Sequence, residues 1–340
     1  MKTRIWKMEN DTPQAKAVEE AANLIRHGEL VAFPTETVYG LGAHALNAKA
    51  VAKIFRAKGR PSDNPLIVHI SDLTQLKKIA QTIPPATRKL ARLFWPGPLT
   101  IVVPKRSVVP NNVTAGLNTV AVRMPSHPIA LALIRAAGVP IAAPSANRST
   151  QPSPTRASHV LEDLDGKIAG VIDGGPVPFG IESTVIMVKG HRLVVLRPGA
   201  LPVEELEKSG FAVELDKHLL TTGPKSNPLS PGMKYRHYAP NARVALFSPK
   251  IRLAGLRKIM QQEKKKGHYC AILGLKEWDV RDVVLKRYKD TAQMAYGLFD
   301  DFRTLDKLQT DLILVEHVPE VGLGLAVMNR AKKAAGGKRV

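Results

Sequence analysis

Arg56-Ala57-Lys58-Gly59-Arg60-Pro61-Ser62-Asp63-Asn64-Pro65-Leu66-Ile67-Val68-His69 is a stretch in which a helix must stop and a strand must start, with cations at the junction. Upstream of it, Asn47 suits an N-cap, Val51, Ile54 and Phe55 share one helical face, and Gly59 is a stop signal. Pro61, Asp63, Asn64 and Pro65 then force a turn into the apolar strand Leu66-Ile67-Val68. Two readings of the cationic loop stand side by side. Lys58 and Arg60 either cap carbonyls at the helix end, or they clamp an anion, with Arg60 as a planar fork and Lys58 as a movable point charge on a phosphate or carboxylate.

Towards the N-terminus, Thr12 and Pro13 read as the N-cap and first position of a helix whose apolar face is Val18, Ala21, Ala22 and Ile25, ended by Gly28. A strand from Leu30 to Phe33 runs into Pro34-Thr35-Glu36-Thr37-Val38-Tyr39-Gly40-Leu41-Gly42, a hydroxyl-rich loop whose glycines permit unusual backbone angles. It is either a ligand loop at a strand end or a plain turn with Glu36 or Thr37 capping the next element. Strands and helices keep alternating as far as the strand Pro140 to Ala143, which leads into Pro144-Ser145-Ala146-Asn147. Ser145 and Asn147 point the same way in an extended chain and so suit one ligand; a turn satisfying its own backbone is the other reading. Val185 to Val188 and Leu193 to Leu196, joined by Lys189-Gly190, predict a hairpin at a sheet edge, ending at Arg197-Pro198-Gly199.

Composition sets the outer bounds. The 340 residues, 44% of them hydrophobic, can bury a substantial core and favour two domains. The first is expected over 1–220 and a small parallel α/β domain over 243–340, where strands and helices alternate cleanly. Residues 221–242 between them read as a Pro/Gly-rich linker. That linker holds Ser230-Pro-Gly-Met-Lys-Tyr235-Arg-His-Tyr-Ala-Pro240, which is rich enough in aromatic and basic groups to suggest a docking segment. Gly322-Leu-Gly-Leu-Ala-Val lacks the third glycine of a dinucleotide fingerprint. No apolar run approaches membrane-spanning length and no signal-peptide pattern opens the chain, so a cytoplasmic location is expected. The one cysteine, Cys270, falls within a predicted strand and reads as a buried core thiol.

The net charge of +21 implies an anionic partner. Residues 51–150 hold 14 Lys or Arg against two Asp or Glu, so the surplus surrounds the opening stretch. The sequence has no Walker A loop, no His-Glu-x-x-His and no Gly-x-Ser-x-Gly elbow. Loops rich in hydroxyls and cations suit an amino acid bound with a nucleotide polyphosphate, and a reaction run by positioning and charge stabilisation needs no protein nucleophile.

Lys58-Gly-Arg60 with Ser145-Ala-Asn147, joined by Pro34-Thr-Glu-Thr-Val-Tyr-Gly-Leu, Asn64-Pro-Leu and Ile181-Glu-Ser-Thr, resembles the YrdC-like family; the tract from Ser230 followed by an α/β domain resembles its two-domain form. The resemblance covers nearly the whole chain. It implies an open twisted α/β sheet with a cationic cavity, and a Rossmann-like C-terminal domain. It implies the reaction of L-threonine, bicarbonate and ATP, carried with Mg²⁺, to give threonylcarbamoyl-AMP and pyrophosphate. A transferase complex would then modify tRNAs that read codons beginning with A, so any tRNA contact of this chain would be indirect. Carried over by motif, Thr35, His69, Arg123, Ala143 (through its backbone) and Ser183 would hold threonine. Lys58, Ser62, Thr119, Ser145, Ser153, Arg197 and, from the linker, Tyr235 would hold ATP. Lys58, Arg60, Ser145 and Asn147 would form the catalytic group, and no side chain is expected to hold a metal.

A competing reading is a non-catalytic RNA-binding module using a basic concave surface. Aromatic residues make up 5% of the chain and none lies among the cations of residues 56–69, which favours small anions over stacked bases. A carbamoyltransferase of hydrogenase maturation ranks third, since the zinc-finger and acylphosphatase-like segments that accompany such modules are missing from the sequence.

Overall fold

The computed structural model describes residues 2–8, 12–219 and 237–338. The chain divides into two compact units, Met1–Ser149 with Ser153–Tyr235, and Thr150–Pro152 with Arg236–Val340. The tract from Ser230 through Tyr235 lies outside the described residues.

The described residues of unit one hold eleven strands: β1 (Arg4–Lys7), β2 (Val31–Phe33), β3 (Gly40–His44), β4 (Ile67–His69), β5 (Leu99–Pro104), β6 (Thr119–Arg123), β7 (Ile141–Ala142), β8 (Gly170–Asp173), β9 (Thr184–Lys189), β10 (Arg192–Arg197) and β11 (Ala212–Leu215). They form one open mixed sheet in the order β1-β8-β2-β3-β7-β4-β6-β5-β9-β10-β11. Period-two alternation sorts the side chains of each strand to the two faces. Ala32, Val68 and Val122 join the large core under the helix Ala48–Lys58, while Val31 and Phe33 pack with the helices Ala15–Arg26 and Pro128–Ala137. A third, small apolar cluster consists of Ile67, Val102, Ala121, Val185, Val194 and Leu196. Two residues along from Ile67, Ala121 and Val102 stand His69, Arg123 and Thr100, on the same face.

The helix Ala48–Lys58 ends as its sequence demands. The Asn47 side chain accepts from the amides of Lys49 and Ala50, and Gly59 adopts φ 59°, ψ 37°, the left-handed stop that a side chain would resist. Elsewhere the local reading needs correcting. Gln14 is extended and unfurnished with a side-chain cap, so the first helix opens at Ala15, later than Thr12-Pro13 suggested. Gly40 and Gly42 lie in β3 and not in a loop; a Cβ on Gly42 would sit 2.8 Å from Phe33 and 2.9 Å from Ile141, so that glycine is needed for close packing, not for an unusual angle. The β9–β10 hairpin is not an edge, because β11 pairs parallel with β10.

Unit two holds β12 (Arg243–Phe247), β13 (Cys270–Gly274), β14 (Val284–Arg287) and β15 (Leu312–Glu316), all parallel in the order β12-β15-β13-β14. The helices Leu253–Lys265, Thr291–Lys307 and Leu323–Ala335 follow β12, β14 and β15, but β13 leads to β14 with no helix between them, so the clean alternation expected from the sequence fails at that step. The end of the linker tract is anchored here: Tyr238 stacks on Phe299 at 5.3 Å, with the Arg330 guanidinium over its ring at 5.3 Å. Among the described residues no helix is long and apolar enough to cross a membrane.

Candidate active site

Lys58 ends its helix on the buried side, 3% exposed. Its ammonium donates to the main-chain carbonyl of Ser145 at 2.5 Å and to that of Asn147, and the Ser149 amide donates back to the Lys58 carbonyl at 2.8 Å. The Ser145 segment is itself held against β3, with the Ala146 amide on the Tyr39 carbonyl and a bridge between Gly40 and Ser145. Ser145 Oγ donates to Asn147 Oδ1 at 2.6 Å, and Asn147 Nδ2 to the Arg148 carbonyl at 2.7 Å. The lysine is therefore a fixed charge and not the movable one its flexible stem suggested. Arg60 turns back on its own loop, donating to the carbonyls of Asn64 and Pro65 at 3.3 and 3.2 Å.

A second group forms across the sheet. His69 at the end of β4 pairs with Arg123 at the end of β6, and Arg123 with Thr100 on β5. Burial and then the Arg123 charge push the His69 imidazole down to about 3, so the ring is neutral at ordinary pH. Its Nδ1 is buried and has no hydrogen-bond partner among the described residues. Arg123 Nη1 donates to Thr37 Oγ1 at 2.9 Å and its Nε to the Gly97 carbonyl at 3.3 Å, while Nη2 lies 2.7 Å from Glu36 Oε1. Thr37 Oγ1 is also 2.8 Å from Thr35 Oγ1, which donates to the Val38 carbonyl. The Ala143 amide is given to Ile67, so a backbone bond from Ala143 to a ligand would have to use its carbonyl.

The third group is set by Gly199, where a Cβ would lie 2.3 Å from the Glu182 carbonyl. That approach brings Arg197 onto Ser183: Nη2 donates to its carbonyl at 2.9 Å and to its Oγ at 3.2 Å. Ser183 Oγ is 2.8 Å from Thr100 Oγ1, which links this group to the row of Arg123. Ser153 Oγ donates to Glu182 Oε1 at 2.6 Å. Ser62 stays exposed and Thr119 half-buried, and among the described residues neither side chain makes a hydrogen bond.

The structure thus joins Lys58 with Ser145 and Asn147, His69 and Thr35 with Arg123, and Ser183 with Arg197. Tyr235 lies outside the described residues. Sequence reasoning missed Glu36, Thr37, Glu182 and Thr100. The first two were weighed only as caps, and Glu182 lies inside a quoted motif without a role. Thr100, inside an apolar strand, carries no signal at all.

A family model for the Sua5/YciO/YrdC group, described as telomere recombination, matches residues 23–199, and one described as the threonylcarbamoyl-AMP synthase C-terminal domain matches residues 201–336. The threonylcarbamoyl-AMP synthase of Bacillus subtilis (strain 168) is 47% identical over 352 residues, covering 99% of each chain. That of Pyrococcus abyssi (strain GE5 / Orsay) is 50% identical over 320 residues, covering 93% of each. The crystal structure of P. abyssi Sua5 complexed with L-threonine matches with a TM-score of 0.93 at 46% identity, covering 100% of this chain and 99% of that one. The chain belongs to the Sua5/YciO/YrdC family, in the two-domain form that carries the threonylcarbamoyl-AMP synthase C-terminal domain.

Proposed function

We infer that this chain is a threonylcarbamoyl-AMP synthase, a nucleotidyltransferase that converts L-threonine, bicarbonate and ATP to threonylcarbamoyl-AMP and pyrophosphate. The observation that carries this reading is 47% identity to an enzyme of that name over 99% of both chains. The tie from Lys58 to Ser145 and Asn147 supports it, because it joins two distant motifs of the expected catalytic group.

In this reading Arg123 takes the threonine carboxylate, and the unpartnered Nδ1 of neutral His69 meets a polar group of the amino acid. Ser183, Thr35 and the Ala143 carbonyl complete the threonine site. A site that hydrogen-bonds the substrate hydroxyl rejects valine because its own polar groups would be left unpaired. Lys58, Ser62, Thr119, Ser145, Ser153, Arg197 and Tyr235 hold ATP, whose magnesium arrives on the phosphates. Among the described residues no group of three His, Cys, Asp or Glu side chains is placed to hold a metal.

The threonine amine, as the free base, first attacks the carbon of bicarbonate and a C–O bond breaks, releasing water and giving a carbamate. A carbamate oxygen then attacks the α-phosphorus and pyrophosphate leaves. Lys58 and Arg60 face the charge that develops, and a lysine already fixed by two carbonyls needs little reorganisation to do so. The adenylate would pass to a transferase that modifies tRNA in the cytoplasm.

The test is incubation of the purified chain with ATP, Mg²⁺, bicarbonate and labelled L-threonine, with serine and valine as controls. Threonine- and bicarbonate-dependent pyrophosphate, with the threonylcarbamoyl adenylate seen by mass spectrometry, is the expected result. No turnover together with salt-sensitive RNA binding would put the RNA-binding module first.

A further inference from the structure

Glu36 is 4% exposed, and among the described residues neither of its carboxylate oxygens accepts a hydrogen bond. Its one close charge is Arg123 Nη2, 2.7 Å from Oε1 but not aligned for a hydrogen bond. The other arms of that guanidinium are spent on Thr37 Oγ1 and the Gly97 carbonyl. Nearby, the Thr35 hydroxyl is directed to the Val38 carbonyl, and His69 is neutral and adds no positive charge. A buried carboxylate that accepts nothing is costly to keep, and in a native structure it points to a partner still to come.

We propose that Glu36 receives the α-ammonium group of the amino-acid substrate, so that Glu36 and Arg123 together read the zwitterion. The proposal rests on the reading above, in which Arg123 takes the substrate carboxylate, and charge balance carries it further. A carboxylate that arrives alone at Nη2 would share with Glu36 the one cation that the described residues place against it, leaving two like charges side by side in a buried site. A zwitterion brings its own cation, one carbon away from its carboxylate. Its ammonium has three donors for the two Glu36 oxygens that have none. One buried ion pair is thereby exchanged for two, and no charge is left over. An acid without the amine would leave Glu36 with neither a hydrogen bond nor a full counter-charge, a stronger penalty than the loss of one contact.

The test compares binding of L-threonine and of (R)-3-hydroxybutanoate, which is threonine without its amine, by titration calorimetry on the full chain and on Glu36→Gln. The wild-type chain should prefer threonine by about 10- to 100-fold. In Glu36→Gln that preference should collapse, because threonine binds more weakly while the deaminated acid binds as well as before or better. Equal weakening of both ligands would overturn the proposal and reduce Glu36 to a residue that orients Arg123. If Glu36→Gln does not fold, Glu36→Asp keeps the charge one methylene short and should show an intermediate preference; an unchanged preference there would equally overturn the proposal. Failure of the wild-type chain to bind threonine at all would instead defeat the functional reading on which the proposal stands.

Discussion

Lys58 Nζ lies 2.5 Å from the main-chain oxygen of Ser145, a residue 87 positions further along the chain. That bond, with its companion to Asn147, makes the last residue of one helix the support of a loop that leaves a different strand. The same ammonium is both a structural staple and the charge expected to face the nucleotide.

Lys58→Ala should therefore cost both activity and stability. Each buried carbonyl left without its donor costs about 1–3 kcal/mol, to be seen as a lower urea midpoint. Threonine-dependent pyrophosphate release should fall at least about 100-fold, the scale of losing one preorganised charge-stabilising group. A variant that turns over at nearly the wild-type rate would contradict the assigned role.

His69 predicts a pH dependence. Its folded pKa of about 3 lies below the ordinary 6.5, chiefly through burial, so between those values the unfolded chain binds a proton that the folded chain refuses. The stability linked to this residue is complete above about pH 6.5 and is lost as the pH falls toward 3, with a slope approaching about 1.4 kcal/mol per pH unit. His69→Gln lacks that term. Urea titrations between neutral and mildly acidic pH should show the wild-type advantage shrinking with acid, and a constant gap would refute it.

Gly199 and Gly59 should respond to alanine for different reasons. At Gly199 the new methyl would lie 2.3 Å from the Glu182 carbonyl and 2.4 Å from the Thr184 amide nitrogen, so backbone must shift. The expected loss is about 1–3 kcal/mol, with weaker threonine binding because Ser183 moves too. At Gly59 nothing lies within 4 Å, and only its φ of +59° resists a side chain. The cost there should be about 1–2 kcal/mol, and the threonine affinity should hold. Calorimetry with threonine on both variants separates the two cases.

Cys270 should be inert while the chain is folded. Burial, then the Glu263 and Asp311 carboxylates, raise its thiol to about 11, so little thiolate exists at pH 8. Alkylation by iodoacetamide should be at least about 100-fold slower in the native protein than in concentrated guanidinium. Comparable rates would place the thiol in a more open setting than its 6% exposure implies.

Features that depend on a few neighbouring residues were legible in the amino-acid sequence. Asn47 as a cap and Gly59 as a stop are settled within one turn, the alternating cores of both units follow from residues two or four apart, and the separate motifs could be matched in their order. Where local signals were ambiguous, packing decided: the exposed Val284–Arg287 has no alternation to reveal a strand, and exists as β14 because it pairs with β13. The folded chain alone sets Arg123 against Glu36 and rests Arg197 on Ser183. It also made Gly42 a packing glycine and fixed Lys58 on two carbonyls. Each of these depends on strand order and on contacts between residues far apart in the chain, and no property of the residues taken singly encodes which distant partner a buried charge will meet.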